Sequence, residues 1–431
     1  MEVDDKNNLQ IGGISVEELR EKYGTPLLVL DEAEIRENIR KYVNSFEKNY
    51  PEYKVLYAGK AFMNRTLCKI LEEEGTGVDV VSGGEMYTAL KADFPEKDIY
   101  FHGNNKLPQE IKLGLENDIE KFVVDNFYEA RLLNKLAKEE NKKVEVLVRI
   151  TPGIEAHTHE YIQTGQIDSK FGVSIADNQA LDLIEKVVNY DNLKLSGIHA
   201  HIGSQIFALE SYQKLIEVLF NFLEGIKEKT GKTLAELDLG GGLGISHIED
   251  EQPPDIRDFV ETISEKVLTE AEKHNYSVPK LIVEPGRSII GSAGTTLYTV
   301  GSIKQVPGMT KYVAVDGGMT DNIRPALYNA DYQVFLANRC LDKPEEKVTV
   351  AGKCCESGDI LAKDVEIPVA EPGDILAIPA TGAYTFAMAS NYNSIPRPAV
   401  VLVNEGESSV IVERESYEDL IRNDIIPDKF Q

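Results

Sequence analysis

The chain has 431 residues and carries 46 Lys plus Arg against 72 Asp plus Glu, a formal net charge of −26. At roughly 150 residues per domain, this length implies two or three domains, each able to bury a sizeable core. The acidic surplus, without any long Lys/Arg run, argues against a grip on nucleic acid or anionic lipid, and no stretch of about 20 apolar residues is present to span a bilayer.

The opening MEVDDKNNLQ has no apolar core of the signal-peptide kind. Four cysteines, two of them adjacent at Cys354 and Cys355, make no sensible disulfide framework for a chain this long. A reducing, cytoplasmic setting is the expectation. TPLLVLD at 25–31 reads as a strand, and EAEIRENIRKYVNSF after it as a helix. A lone strand needs a sheet, and the β-rich C-terminal part of the chain is expected to supply it.

A period then sets in. Short β-branched runs recur as KVLYAGKAF, GVDVVS, DIYFHG, KFVVD and VEVLVRITP, beginning at 54, 77, 98, 121 and 144, and LSGIHAHIG, LAELDLGGG and KLIVEPGR follow at 195, 234 and 280. The gaps hold apolar residues at three- and four-residue spacing, as in NRTLCKILEEE and SYQKLIEVLFNFLEGIKEK, and Asp125-Asn126 supplies N-cap chemistry before the fourth of them. Strands alternating with helices imply parallel pairing through right-handed crossovers. Eight such units match a (β/α)8 TIM barrel, with an open doubly wound sheet as the alternative. After about residue 293 the texture changes to turn-separated strands, among them TLYTVGSIKQV, KYVAVDGG, YQVFLA, EKVTVAG, DILAIPA and PAVVLVN. The expected α/β architecture is a barrel over 36–292 plus a mostly antiparallel β domain made of 1–35 and 293–431.

Active sites of such barrels lie at the carboxyl ends of the strands. The first strand ends in Lys60, flanked by Ala58, Gly59 and Ala61. It is expected to be desolvated, which lowers its pKa and frees the amine for imine formation; a lysine reaching from the strand end into solvent is the alternative. His199 and His201, two apart on the sixth strand, are expected to point to one side. They read as a metal-binding pair, as a ring stacked on a planar cofactor, or as hydrogen-bonded core histidines. Gly240, Gly241 and Gly242 follow the seventh strand, where backbone N–H groups can close on a phosphate, although a tight turn uses such a run as well. The eighth strand ends in Glu284, Pro285, Gly286 and Arg287. The carboxylate suits a protonated ring nitrogen and the arginine a substrate carboxylate, or the two form a salt bridge. The β domain adds Arg324, Tyr328, Glu356 and Tyr384. Adjacent residues of a strand face opposite ways, so one of Cys354 and Cys355 is expected as buried filler and the other as a thiol facing the site. A lysine, an anion-holding loop, a carboxylate for a ring nitrogen and arginines for carboxylates are together what pyridoxal phosphate requires.

YAGKA, HAHIGSQ, DLGGGLGI, EPGR and CESGD, in this order, resemble the fold-type III pyridoxal phosphate decarboxylases over essentially the whole chain. The segment from His157 to Gly172 is similar to the diaminopimelate decarboxylase branch rather than to ornithine or arginine decarboxylases. The resemblance implies that Lys60 forms the imine with the cofactor and that His201 stacks on its ring. It implies that Ser204 and Gly240 to Gly242 hold the phosphate, with Glu284 on the ring nitrogen and Pro285, Gly286 and Arg287 flanking the cofactor. Arg287, Arg324, Tyr328 and Glu356 would bind the distal end of the substrate, and Tyr384 would touch cofactor and substrate. Cys355 would donate the proton, from the second subunit of a homodimer. The expected activity is decarboxylation of meso-diaminopimelate to L-lysine. Three alternatives stand beside it. A metal-dependent barrel hydrolase would rest on His199, His201, His157 and His159, but further ligands do not assemble and no metal is expected. An inactive regulatory relative would be expected to lose Lys60 or Cys355, and both are present. The third is a decarboxylase of another basic amino acid.

Overall fold

The computed structural model of the chain describes residues 2–154 and 169–431. His157, His159 and most of the segment running to Gly172 therefore lie outside the described residues.

Eight strands, Tyr53–Ala58, Gly77–Val80, Ile99–Phe101, Lys121–Val124, Val144–Thr151, Leu193–His199, Glu236–Asp238 and Lys280–Val283, pair with their chain neighbours, always parallel. The eighth pairs with the first, Val283 opposite Val55, so the sheet closes. The closed (β/α)8 barrel expected from the period is the fold, and the open sheet is excluded. Helices start where a short polar side chain can take an orphan amide: Asn64 accepts from Leu67, Ser82 from Glu85 and Asn126 from Glu129, at 2.8, 3.2 and 3.0 Å. Leu56, Tyr100, Val123, Leu147 and Ile282 form one buried cluster from five of the strands. Near the amino ends, Lys121 is 1% exposed and reaches Glu145 at 2.8 Å and Glu236 at 3.1 Å. A cation that far from water needs such partners, and this end of a barrel is a place for stability rather than chemistry.

The chain divides into two compact units, one of Arg36–Ile245 with Gln252–Ile289, the other of the residues up to Ile35, Ser246–Glu251 and Ile290–Gln431. The second is a β unit. Its sheet runs Ile360–Ile367, Glu346–Ala351, Lys311–Val315, Gly294–Gln305, Leu27–Asp31, Ala399–Asn404, Glu407–Val412. Most neighbours are antiparallel; Lys311–Val315 with Glu346–Ala351, and Leu27–Asp31 with Ala399–Asn404, are parallel. Four of the five residues in Leu27–Asp31 are buried, and a strand so apolar gains most as an interior member of a sheet. Leu9, Ile11, Ile14, Val16 and Leu19, from a small N-terminal hairpin and helix, share one core with Leu27, Val29, Leu297 and Val401. A second core surrounds Tyr298, Val313, Tyr332 and Val350. Ser246–Glu251 groups with this unit although its place in the sequence is between the seventh barrel strand and the helix Ile256–Lys273.

Candidate active site

The barrel-unit residues singled out in the sequence follow the carboxyl ends of strands. Lys60 lies in a single 3-10 turn, Gly59–Ala61, beyond the first strand. Ala58, Gly59, Ala61 and Phe62 are buried, but Lys60 is exposed. The expected desolvation is thus not met in the chain alone: the strand has ended, and the turn aims this one side chain out of the core. His199 and His201 also part company. The strand stops at His199, so the two-residue alternation does not carry on to His201. His199 is 1% exposed with its Nε2 3.2 Å from Glu284 Oε2, whereas half-buried His201 accepts the amide hydrogen of Gly241 on Nδ1 at 3.2 Å. Burial, then the neighbouring charges of Lys60 and Arg149, holds the His201 ring well below its usual range, so it is neutral.

The histidine that joins His199 is His102, which sequence reasoning missed. It stands one residue past the third strand, its ring edge-on to His199 with centroids 4.9 Å apart, and its Nε2 is 2.8 Å from Glu284 Oε1. Both imidazoles point Nε2 at the same carboxylate, and each donates when its hydrogen is carried there. Burial opposes the charge on Glu284, yet the two imidazoles hold its carboxyl well below the ordinary range. Asp238 is driven the other way, well above that range, by burial and then by the charge on Glu284. Asp79 is likewise raised by burial, with His102 pulling against it. Carboxylates crowded in one buried place cannot all ionise, and Glu284 is the one that does. His102, His199 and Glu284 also present possible metal-ligand atoms within 4.8 Å of one another. The hydrogen bond between His199 and the carboxylate, with the 2.8 Å approach of His102 Nε2 to its other oxygen, accounts for that spacing.

Burial lowers the pKa of His199 to about 4 from 6.5, against the pull of Glu284. A base that resists protonation in the folded state makes stability fall as pH drops between its unfolded and folded pKa values, because there only the unfolded chain takes up the proton. Stability is therefore expected to decline between pH 6.5 and about 4, His199 contributing on the order of 3 kcal/mol. Urea titrations across this range check it. The slope should shrink in His199→Asn, and an unchanged slope there would remove His199 as its source.

The glycine run is built for close packing. A Cβ on Gly241 would collide with the carbonyl of Glu284 and one on Gly242 with that of Gly203, while Gly240 has φ +66°. The amide of Gly240 donates to Asp238 Oδ1 at 2.9 Å, and that of Gly241 to His201. Arg287, 4% exposed, places Nη2 3.2 Å from the hydroxyl of Ser204. A salt bridge between Glu284 and Arg287 is not what the described residues form: the carboxylate faces imidazoles and the guanidinium faces a serine.

In the β unit, the short helix Arg324–Tyr328 brings the guanidinium of Arg324 over the ring of Tyr328, 5.2 Å from its centroid, and 6.0 Å from that of Tyr384. Tyr384 has φ +60°, a strained choice for an aromatic residue and one that clusters at functional sites. Cys354 and Cys355 are not on a strand. They lie in the turn between Glu346–Ala351 and Ile360–Ile367, so strand alternation does not sort them. Asp359, 2% exposed, organises that turn by accepting the amides of Met319 and Cys354 at 2.6 and 2.7 Å. Burial, then Asp359, pushes the Cys354 thiol up to about 11. Cys355 is exposed, as is Glu356, and the amide of Cys355 donates to Asn393 Oδ1 at 2.7 Å.

An ionised buried carboxylate suits a protonated ring nitrogen, a neutral imidazole suits the face of a ring, and an exposed lysine amine stands at the same barrel mouth; the residues present fit pyridoxal phosphate. Residues 36–291 match the family model described as pyridoxal-dependent decarboxylase, pyridoxal binding domain, which puts the chain in that class of enzymes with pyridoxal phosphate as cofactor. A diaminopimelate decarboxylase of Bacillus subtilis is 49% identical over 97% of this chain and 95% of its own length; one of Synechocystis is 47% identical over 99% and 92%. The crystal structure of diaminopimelate decarboxylase from M. jannaschii covers 100% of this chain and 98% of its own, at 38% identity and a TM-score of 0.93, and a co-complex of it with L-lysine aligns equally well. The chain belongs to the diaminopimelate decarboxylase family.

Proposed function

We propose that the chain decarboxylates meso-2,6-diaminopimelate to L-lysine and CO2, the last step of lysine biosynthesis, with its residues in the following roles. Kinship over nearly the full length with diaminopimelate decarboxylases carries the substrate. The chemistry is carried by Glu284, a carboxylate kept ionised between two imidazoles at the mouth of the barrel.

Pyridoxal phosphate supplies the electron sink for the pair left behind as CO2 departs. Glu284 would keep a proton on the ring nitrogen, which requires the carboxylate to stay charged. His199 does that by hydrogen bonding and His102 by its close approach, while burial raises the carboxyls of Asp238 and Asp79 beside it. Neutral His201 would lie on the ring face, and Ser204 with Gly240, Gly241 and Gly242 would hold the phosphate, beside Pro285, Gly286 and Arg287. Lys60 would bind the cofactor covalently. Arg287, Arg324, Tyr328 and Glu356 would hold the distal end of the substrate, and Tyr384 both partners. The arginines belong on the carboxylate that is kept, since pairing the departing one would oppose its loss as a neutral molecule. Cys355 would deliver the proton from the second subunit of a cytoplasmic homodimer; its exposure in the single chain supports that role. In this division of labour the barrel holds the cofactor and the β domain brings substrate-binding and proton-donor groups. No helix among the described residues is long and apolar enough to cross a membrane.

Purified enzyme supplied with diaminopimelate, ornithine or arginine in turn is expected to release CO2 from the first alone, with L-lysine as product. Release from ornithine or arginine but not from diaminopimelate would refute the substrate.

A further inference from the structure

Arg324 is 4% exposed, and a guanidinium so placed has to be held by partners. Its Nε–H donates to the hydroxyl of Tyr332 at 2.8 Å. Tyr332 is itself 3% exposed and packs in the core with Tyr298, Val313, Val350 and Leu376. The ring of His247 meets it edge-on, with centroids 5.1 Å apart and planes at 89°, a favoured aromatic geometry. His247 is fastened in turn. Its carbonyl accepts the amide of Gln333 at 2.9 Å, its own amide donates to Glu251 at 2.7 Å, and the Gln333 side chain reaches Glu249 at 3.0 Å. The Tyr332 hydroxyl therefore sits on a ring that packing prevents from turning away.

A guanidinium can take a carboxylate bidentately along its Nη1/Nη2 edge or along its Nε/Nη2 edge. With Nε committed to Tyr332, the second mode is closed.

We propose that Tyr332, clamped by His247, is a positioning residue that selects the substrate: it turns Arg324 so that the Nη edge alone receives the carboxylate diaminopimelate keeps. The inference rests on the reading of Arg324 as a ligand of that carboxylate.

Tyr332→Phe removes the hydroxyl and leaves the ring. KM for diaminopimelate is expected to rise roughly five- to tenfold, the scale of one net hydrogen bond. kcat at saturation should fall less, and the visible absorption of the bound cofactor should not change. The inhibition constant of L-lysine, which carries the same carboxylate, should rise by the same factor as KM. That of cadaverine, with both amines and no carboxylate, should stay where it is. A merely structural role would weaken both inhibitors alike, and that result overturns the proposal. If Arg324→Gln raises KM and the lysine constant while Tyr332→Phe moves neither, the positioning role is overturned and the reading of Arg324 stands. If Arg324→Gln moves neither, both are overturned. Should Tyr332→Phe not fold, His247→Gln carries the same test. It loosens the ring rather than deleting the hydroxyl, and is expected to weaken lysine about two- to threefold and cadaverine not at all.

Discussion

Lys60→Ala is expected to abolish the borohydride-trappable cofactor adduct and to lower kcat by about three orders of magnitude or more, the scale on which covalent and acid–base groups act. The structure explains why no neighbour should take over. Lys60 is the exposed side chain of a turn whose other members, Gly59 and Ala61, are buried and carry no amine. The buried lysines of the barrel unit are engaged elsewhere: Lys106 is held against Glu129 at 2.7 Å, and Lys121 against Glu145. Reduction with borohydride followed by peptide mapping reads the outcome directly. An adduct on any other lysine of the wild-type chain would mean that Lys60 does not hold the cofactor.

Cys355→Ala is the second large effect. The cofactor should bind as before, with its absorbance intact, while turnover falls about a hundred- to ten-thousand-fold, the usual contribution of a placed acid. Cys354 is a poor substitute although it is adjacent, because burial and Asp359 keep its thiol at about 11. Mixing the two inactive proteins separates a shared site from a self-contained one. If each site draws Lys60 from one subunit and Cys355 from the other, random pairing of Lys60→Ala with Cys355→Ala chains leaves one intact site per mixed dimer. About a quarter of wild-type activity then returns. Mixtures that stay inactive despite exchanging subunits would place both groups in one chain, and undiminished turnover by Cys355→Ala alone would assign the proton to another group.

The barrel was legible because its signals are local. Apolar runs, helical spacing and caps such as Asn126 are fixed within a few residues of one another, and they mark where each strand and helix begins. Even so, YQVFLA shrank to a two-residue strand, Phe335–Leu336, since a short apolar run can serve a core without pairing along its length. The site was legible in its positions but less so in its partnerships. His102 closes on Glu284 and His199 across the barrel, and nothing in DIYFHG announces neighbours that are so far away in sequence. The one available signal was its place just past a strand end, the same place that singled out Lys60 and Glu284. His199 and His201 show the converse error. Their two-residue spacing has meaning only while the strand continues, and it ends between them. Exposure of Lys60 and the turn around Cys355 likewise follow from where strands stop, which is the least legible property of a strand.

The strand Leu27–Asp31 lies between Gly294–Gln305 and Ala399–Asn404. It precedes all eight barrel strands in the chain, yet one of its two neighbours follows them all. Every strand of the barrel is synthesised in the interval, so the barrel can close before the β sheet receives residues 399–404. Contacts that span so much sequence also form slowly. Newly made chains therefore pass through a stage in which an apolar strand has no place to pair, and it is there that chaperones have most to protect.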